Sequence, residues 1–425
     1  MNLRPSRRRV LQLAGAATLG RAAPGLARAQ SAGRVVVVGG GFGGATCARY
    51  LRKLAPEIDV TMVEENDRFA TCPFSNTVVA GINEMGFITH SFDGLAQAGV
   101  NVVQARAEGV DPDGKTIRLT DGAAVPYDRL VLSPGVDFKW DAIQGYSPEA
   151  AEIMPHAWKA GTQTLLLRQQ LEAMEDGGVF LMYVPANQFR CPPGPYERAS
   201  LVAHYLQTQK PRSKIVIVDA KDNFSKQGLF MEGWEALYPG LIEWLPFAEN
   251  GNILRVDPGT RTVETEFGSH AGHVVNVIPP QRAADLVIAT GLSGGEDWCV
   301  VDQRTFESAV APGIHILGDA IIAGSMPKSG FSASSQGKSC ALAIAALQRG
   351  EEPPSPSLIN TCYSLVGPDY GISVADVYHL GEDGMIAAVE GSGGVSPSGA
   401  PRDFRELEAD YARGWYASMM ADLYG

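Results

Sequence analysis

Residues 34–44 decide the fold of this chain, and they read Arg-Val-Val-Val-Val-Gly-Gly-Gly-Phe-Gly-Gly. The four valines form a short continuous apolar run, which is typical of a buried parallel strand. The run leads into a G-x-G-x-x-G pattern on Gly39, Gly41 and Gly44, and the helical stretch from Ala45 to Leu54 follows. Such a turn lets backbone N–H groups and the start of a helix meet a pyrophosphate. The stretch therefore predicts the strand, turn and helix of a dinucleotide-binding domain.

An acidic residue follows at the expected place. The next apolar run, Asp59 to Val63, ends at Glu64, about 20 residues after Gly44. A carboxylate at that distance can accept hydrogen bonds from both hydroxyls of an adenosine ribose. A strand, glycines, a helix, a second strand and an acid in this order favour bound dinucleotide over an empty glycine-rich turn.

Length and charge limit the function classes. The chain has 425 residues, 45% of them hydrophobic and 19% charged, which predicts two or three globular domains. Its net charge of −12 argues against a nucleic-acid partner, because that function needs a basic face. Residues 1–29 combine Ser6-Arg7-Arg8-Arg9, a weakly apolar stretch and Ala27-Arg28-Ala29. They resemble a twin-arginine signal peptide, so we expect export to the periplasm without stable membrane insertion.

Two further segments extend the first domain. Tyr127 to Gly135 and Ile314 to Ala320 each look like a strand closing in a turn, and the second contains Gly318-Asp319. Both resemble secondary motifs of flavoproteins with two dinucleotide-binding domains. In those proteins the Gly-Asp carboxylate holds the ribityl or pyrophosphate part of FAD. The resemblance implies a split FAD-binding domain, residues 31–145 with 286–352.

The inserted segment, residues 146–285, begins like a second Rossmann unit with strands at 179–184 and 214–218 around a helix at 196–209. Its first turn, residues 185–195, has prolines and a phenylalanine where a nicotinamide nucleotide needs glycines. We therefore expect a Rossmann-like domain without an NAD motif.

The last segment, residues 353–425, predicts a hairpin from strands at 372–380 and 385–390, then an amphipathic helix at 402–424. The predicted fold class is α/β, with two Rossmann-like domains of the FAD/NAD-linked, disulfide-reductase-like type and a smaller α+β C-terminal domain.

The six cysteines carry the chemical signal. None lies within about 20 residues of another, which excludes close-pair zinc sites, thioredoxin-like motifs and covalent haem c attachment in this chain. Cys191 lies in the turn that aims nicotinamide at the flavin in related folds, and Glu197 follows at a predicted helix start. That carboxylate could accept a proton from an incoming thiol, or it could be a helix-capping acid. Spacing alone does not say which cysteines pair.

The other cysteines differ in context. Cys362 lies in a turn-like segment at the entry to the last domain, and Cys72 follows Glu64 by eight residues. Cys47 and Cys340 fall inside predicted helices, which favours core packing. Cys299 has no evident role.

At these residues the chain resembles the flavin-binding subunit of flavocytochrome c sulfide dehydrogenase. The resemblance covers most of the mature chain and is most specific from Arg190 to Ala199; it includes Met326 to Gly330 and Leu358 to Ser364. It implies that Cys191 and Cys362 form a redox disulfide beside the flavin, with Glu197 as base. It further implies that Cys72 carries FAD through a thioether and that Lys328 and Trp415 lie at the cofactor.

The implied function is oxidation of sulfide to sulfur or polysulfide, with electrons passed to a separate cytochrome c subunit that carries the haem c. One alternative is a sulfide:quinone oxidoreductase, although five acidic residues on the last helix argue against a lipid-facing surface. Another is an accessory flavoprotein of a thiosulfate-oxidising system. An NAD(P)H-dependent disulfide reductase is more distant because the nicotinamide turn is degraded.

Overall fold

The computed structural model of the protein describes residues 33–425. The expected signal peptide, residues 1–29, lies outside the described residues. The N-terminal part contains the following elements, in chain order: β1 (Arg34–Val38), α1 (Phe42–Leu54), β2 (Asp59–Glu64), β3 (Arg68–Ala70), α2 (Ser75–Val79), β4 (Thr89–Ser91), α3 (Asp93–Gln97), β5 (Asn101–Gln104), β6 (Ala107–Asp111), β7 (Thr116–Leu119), β8 (Ala124–Pro126), β9 (Arg129–Leu132) and β10 (Val136–Phe138).

The middle of the chain supplies the second Rossmann-like unit and then returns to the first. Its elements are α4 (Thr162–Ala173), β11 (Val179–Val184), α5 (Gly194–Gln209), β12 (Lys214–Asp219), α6 (Gln227–Leu237), β13 (Ile242–Leu245), α7 (Phe247–Asn250), β14 (Ile253–Asp257), β15 (Thr262–Thr265), β16 (Ser269–Ala271), β17 (Val274–Val277), β18 (Gln281–Ala283), α8 (Asp285–Ala289), β19 (Ile314–Ile316) and α9 (Gly330–Gln348). The C-terminal elements are β20 (Ser357–Gly367), β21 (Tyr370–Leu380), β22 (Ile386–Ala388), β23 (Gly394–Val395) and α10 (Arg402–Tyr424).

Two parallel sheets form the body of the molecule, which confirms the predicted fold class. The first has the order β19-β9-β1-β2-β5, and the second has the order β13-β12-β11-β17. The valines of β1 are between 0 and 7% exposed, as a strand covered on both faces requires. Because β19 pairs with β9, the chain after the inserted unit returns to the first sheet.

Helices α1 and α9 pack closely against each other beside the first sheet. A Cβ atom on Gly337 would lie 2.6 Å from the carbonyl oxygen of Gly43, so the contact requires glycine. Cys47 and Cys340 lie in these two helices, and both are fully buried. Their burial agrees with the core-packing role that their sequence context favoured.

The C-terminal unit is an antiparallel sheet crossed by α10. Strands β20 and β21 pair along almost their whole length, and β22 and β23 add to β21. The prediction of a turn-like segment around Cys362 was wrong, because Cys362 lies in the middle of β20 and pairs with Val374. Its polar neighbours suggested a turn, but Asn360 and Ser364 are buried and hydrogen-bonded inside the protein.

Candidate active site

The glycine turn lies between β1 and α1, where the sequence predicted it. The backbone N–H of Gly39, which has φ +100°, donates to the Val63 carbonyl at 2.9 Å. A Cβ on Gly44 would lie 1.9 Å from the Gly39 oxygen, so this position too requires glycine. Helix α1 begins with Gly41 as N-cap, and no side chain caps it. Its free N–H groups suit a pyrophosphate.

Glu64 closes this turn from the end of β2. Its Oε2 accepts a hydrogen bond from the Gly40 N–H at 2.7 Å, and its Oε1 accepts from the Asn66 side chain at 2.8 Å. Tyr424, near the end of α10, is buried here and donates its hydroxyl to the Gly40 carbonyl at 2.9 Å. The C-terminal helix therefore packs against the dinucleotide turn.

The second predicted cofactor segment follows directly after β19. Gly318 has φ +79°, and its N–H donates to the Gln336 side chain at 2.8 Å. The Asp319 carboxyl is buried, and its Oδ1 has no hydrogen-bond partner among residues 33–425. Burial raises the pKa of Asp319, while the positive charges of Arg190 and Lys328 oppose that shift. A buried acceptor without a partner fits a ligand hydroxyl.

Lys328 lies beside Asp319. Its ammonium donates to the carbonyls of Asp319 at 2.9 Å and Ile321 at 2.6 Å, and it lies 3.8 Å from the centre of the Trp298 ring. Burial lowers the pKa of Lys328 to about 8. The carbonyl of Lys328 accepts a hydrogen bond from the Cys191 N–H at 2.8 Å. This bond connects the cofactor segment to the turn that carries the candidate redox cysteine.

Cys191 occupies the turn before α5 with a left-handed backbone, φ 58°. Burial raises the pKa of its thiol, negative charge on Cys362, Glu197 and Cys72 raises it further, and Lys226 lowers it. The structure thus brings together residues from four separate segments of the chain. All six cysteines are free thiols in this structure, so the Cys191–Cys362 disulfide remains a prediction.

Cys72 lies after β3, with its sulfur 3.7 Å from the Trp158 carbonyl oxygen. The Trp158 indole N–H donates to the carbonyl of Arg190 at 3.2 Å, next to Cys191 in the chain. Trp415 of α10 lies with its ring centre 6.2 Å from that of Tyr363, the residue after Cys362. Its ring centre is 5.9 Å from that of Phe331, and its indole N–H is buried without a partner in the part of the chain that the structure describes.

Glu197 connects three elements rather than capping its own helix. Its Oε1 accepts from the Leu365 backbone N–H at 2.9 Å, and its Oε2 accepts from the Asn76 side-chain amide at 2.8 Å. Burial raises its pKa, and these hydrogen bonds together with Lys226 and Arg198 oppose the rise. A buried carboxyl group with a raised pKa is poised to exchange a proton.

Sequence reasoning missed three side chains of this site. Arg198 is buried and donates to the Asn76 side chain at 3.0 Å and to the Asn276 side chain at 2.9 Å. Asn76 thereby orients both Glu197 and Arg198. Lys226, just before α6, donates to the carbonyl of Cys362 at 3.1 Å. Asn76 and Arg198 lie beside residues that the sequence did single out, whereas no pattern marked Lys226.

The second domain has an acid at the position where a Rossmann unit binds a nucleotide ribose. Asp219, at the end of β12, is fully buried and forms a 2.6 Å ion pair with Lys221. The rings of Tyr196 and Phe224 stack with centres 3.6 Å apart, and the Tyr196 hydroxyl donates to Asp219. The acid that would accept a nucleotide ribose in a functional Rossmann unit is therefore already paired.

Three family models match this chain. Residues 33–165 match "Pyridine nucleotide-disulphide oxidoreductase", and residues 164–279 match "Sulfide dehydrogenase [flavocytochrome c] flavoprotein chain, central". Residues 354–424 match "Flavocytochrome c sulphide dehydrogenase, flavin-binding". The flavoprotein chain of sulfide dehydrogenase from Chlorobaculum thiosulfatiphilum is 71% identical over 45 residues, which are 94% of that short sequence and 11% of this chain. The chain belongs to the flavoprotein family that these models describe.

The chain is also similar to longer proteins. Mitochondrial sulfide:quinone oxidoreductase from Mus musculus is 22% identical over 304 residues, which are 67% of this chain and 65% of that enzyme. The crystal structure of sulfide:quinone oxidoreductase from Aquifex aeolicus superposes with a TM-score of 0.71 at 17% identity, covering 92% of both chains. This likeness shows the fold. The flavin-binding and disulfide oxidoreductase models support FAD as the cofactor.

Proposed function

We propose that the chain oxidises sulfide at Cys191 and Cys362 and passes the electrons through FAD to a cytochrome c subunit. One observation carries the proposal: Cys191 lies close enough to Cys362 and Glu197 for their negative charges to raise the pKa of its thiol, and its N–H donates to the carbonyl of Lys328 in the cofactor segment. Two thiols can exchange an electron pair with a flavin in place of a nicotinamide, and the ribose-position acid of the second domain, Asp219, is already paired with Lys221.

The residues present fit FAD. The open start of α1 and Glu64 suit the adenosine diphosphate part, whereas the unpartnered Asp319 oxygen and the Trp415 indole N–H suit polar atoms of the flavin part. When bound, FAD would accept two electrons and release them one at a time. Cys72 would attach it through a thioether, which keeps the cofactor in place after export to the periplasm by the twin-arginine route.

The chain's own chemistry begins with the disulfide form. Hydrosulfide attacks one sulfur of a Cys191–Cys362 disulfide, the old S–S bond breaks, and the products are a cysteine persulfide and a cysteine thiolate. The negative charge that hydrosulfide brings is carried by the cysteine thiolate after the step, so atoms and charge balance. Glu197 is positioned to take the proton of the persulfide or of an incoming H₂S.

The decisive experiment replaces one sulfur. Cys191→Ser should retain FAD and lose sulfide-dependent reduction of cytochrome c. Cys340→Ala, a buried cysteine between α1 and α9, is the matched control and should keep the activity. Peptide mass spectrometry of unreduced protein should also find a Cys191 to Cys362 crosslink and a flavin mass on Cys72. Full sulfide oxidation by Cys191→Ser would refute the proposal.

A second candidate acceptor is a quinone, as the names of the mouse and Aquifex relatives state for those proteins. A cavity of about 490 Å³ between α2 and α10 favours it, because Phe74, Ile82, Phe87 and Met420 give that cavity an apolar lining. Among residues 33–425 no helix is long and apolar enough to cross a membrane. Reduction of decylubiquinone but not of cytochrome c would favour this candidate.

A further inference from the structure

Lys226 is a buried cation held against the strand of Cys362. The residue is 8% exposed. Its ammonium donates to the Cys362 carbonyl at 3.1 Å and to the Ser364 hydroxyl at 2.8 Å. Its backbone has φ 61°, the left-handed region that a side chain disfavours. Burying a lysine in a strained position needs compensation, and neither hydrogen-bond partner carries a charge.

The charged and titratable groups that face this ammonium come from four different elements. Those that act on it are Cys362 of β20, Glu197 of α5, Cys191 of the preceding turn and Glu408 of α10, in decreasing order of effect. Burial lowers the pKa of Lys226 to about 8, and all four of these groups oppose that shift when they are negative. The strongest partner of the cation is thus a cysteine that carries no charge while it is a thiol or part of a disulfide.

We propose that Lys226 is a positioning and charge-balancing residue of the redox pair, whose ammonium stabilises the thiolate formed when the Cys191–Cys362 disulfide opens. This inference rests on the proposed function. Glu197 is already in the site, and the incoming hydrosulfide brings a second negative charge. The ammonium gives that charge a partner both before attack, on hydrosulfide, and after it, on the released thiolate.

Asn360 lies beside the same sulfur. Its amide nitrogen is 3.5 Å and its amide oxygen 3.6 Å from the Cys362 sulfur, and that oxygen also accepts hydrogen bonds from Ser329 at 2.6 Å and Ser332 at 3.2 Å. A thiol can donate to the oxygen, whereas a thiolate can only accept from the N–H, so Asn360 can bond the sulfur in either form. Lys226 is therefore the group that favours the negative charge on Cys362 over Cys191, whose pKa is raised by burial.

The test measures thiols rather than turnover. In the reduced full-length protein, alkylation by iodoacetamide is followed against pH, with Cys191 and Cys362 quantified separately by peptide mass spectrometry. In Lys226→Met the Cys362 profile should move to higher pH, so that Cys362 is alkylated several-fold more slowly at about pH 8, and the Cys191 profile should move less. Lys226→Arg keeps the charge and should lie close to the unsubstituted protein. A tenfold destabilisation of the reduced pair would also lower its reduction potential by about 30 mV.

Lys210→Met is the matched control. Lys210 likewise donates to main-chain carbonyls, those of Glu172 at 2.8 Å and of Met174, but these are at the end of α4. Its replacement should leave both profiles unchanged. An unshifted Cys362 profile in folded Lys226→Met refutes the inference; a lowered thermal midpoint beside it would leave Lys226 a purely structural role. A missing Cys191–Cys362 crosslink in oxidised protein would instead refute the proposed function, because the alkylation profiles do not require that crosslink.

Discussion

Replacing Glu197 by glutamine tests the site through its hydrogen bonds. Glu197 accepts from two donors, the Leu365 N–H and the Asn76 amide, whereas a glutamine offers one oxygen and one NH₂ group. Asn76 cannot turn over to compensate, because its oxygen already accepts from the Nε of Arg198 at 3.0 Å. One buried donor must therefore face another donor in Glu197→Gln.

The expected loss follows from that single mismatch. Leaving a buried donor without an acceptor costs about 1–3 kcal/mol of unfolding free energy. The loss should fall toward the lower end, because the substitution also removes a carboxylate that burial disfavours, as its raised pKa indicates. If Glu197 also acts as the base, sulfide-dependent reduction should slow about 10²-fold or more.

The two effects are measured separately. Urea unfolding gives the stability change, with an unchanged m-value as the sign that the unfolding reaction is the same. Stopped-flow reduction with sulfide gives the rate. Glu172→Gln is the control, because Glu172 forms a surface pair with Arg168 and its loss should cost no more than about 0.5 kcal/mol. Equal stability of Glu197→Gln and the unsubstituted protein would refute the hydrogen-bond argument, and an unchanged rate would exclude Glu197 as the base.

Three further changes have definite outcomes. Gly337→Ala should lower the unfolding free energy by about 1–3 kcal/mol, because its Cβ would meet the Gly43 carbonyl; urea unfolding measures this. Cys72→Ser should release flavin into the supernatant after acid precipitation, whereas unsubstituted protein should retain it in the pellet. Lys328 has a lowered folded pKa of about 8, so between pH 8 and 10 the unfolded state binds more protons. The unfolding free energy of the unsubstituted protein minus that of Lys328→Met should therefore rise with pH in this range, by at most about 1.4 kcal/mol per pH unit. A difference that does not change with pH would contradict the burial of that charge.

The sequence predicted the first sheet and its turn because their signals are local. The signals are four valines, three spaced glycines and Glu64, and they lie within about 30 residues of one another. Each predicts its local structure without information about distant parts of the chain. The C-terminal hairpin and the last helix were predicted for the same reason. Cys362 was misplaced in a turn because Asn360 and Ser364 are polar. Inside β20 the Asn360 side chain hydrogen-bonds to Ser329 at the start of α9, and the Ser364 side chain hydrogen-bonds to Lys226. A local sequence pattern cannot reveal such distant partners.

The site itself depends on long-range contacts. Glu197 bonds Asn76, which lies 121 positions earlier in the chain, and Leu365, which lies 168 positions later. Lys226 meets Cys362 across 136 positions. No periodicity marks such a lysine, since its flanking residues read as an ordinary loop before a helix. Resemblance to a family supplied the cysteines and the acid, but only the packed structure shows a cation beside them.

Helix α5 connects the ribose-position acid of the second domain to the sulfur site. Asp219 pairs with Lys221 and accepts a hydrogen bond from the Tyr196 hydroxyl, so a ribose bound there would have to displace these partners. The residue after Tyr196, Glu197, bonds Asn76 and β20. One residue step thus separates a partner of Asp219 from the candidate base. A nucleotide that displaced Tyr196 would disturb the start of α5, and with it the position of the Glu197 carboxyl group.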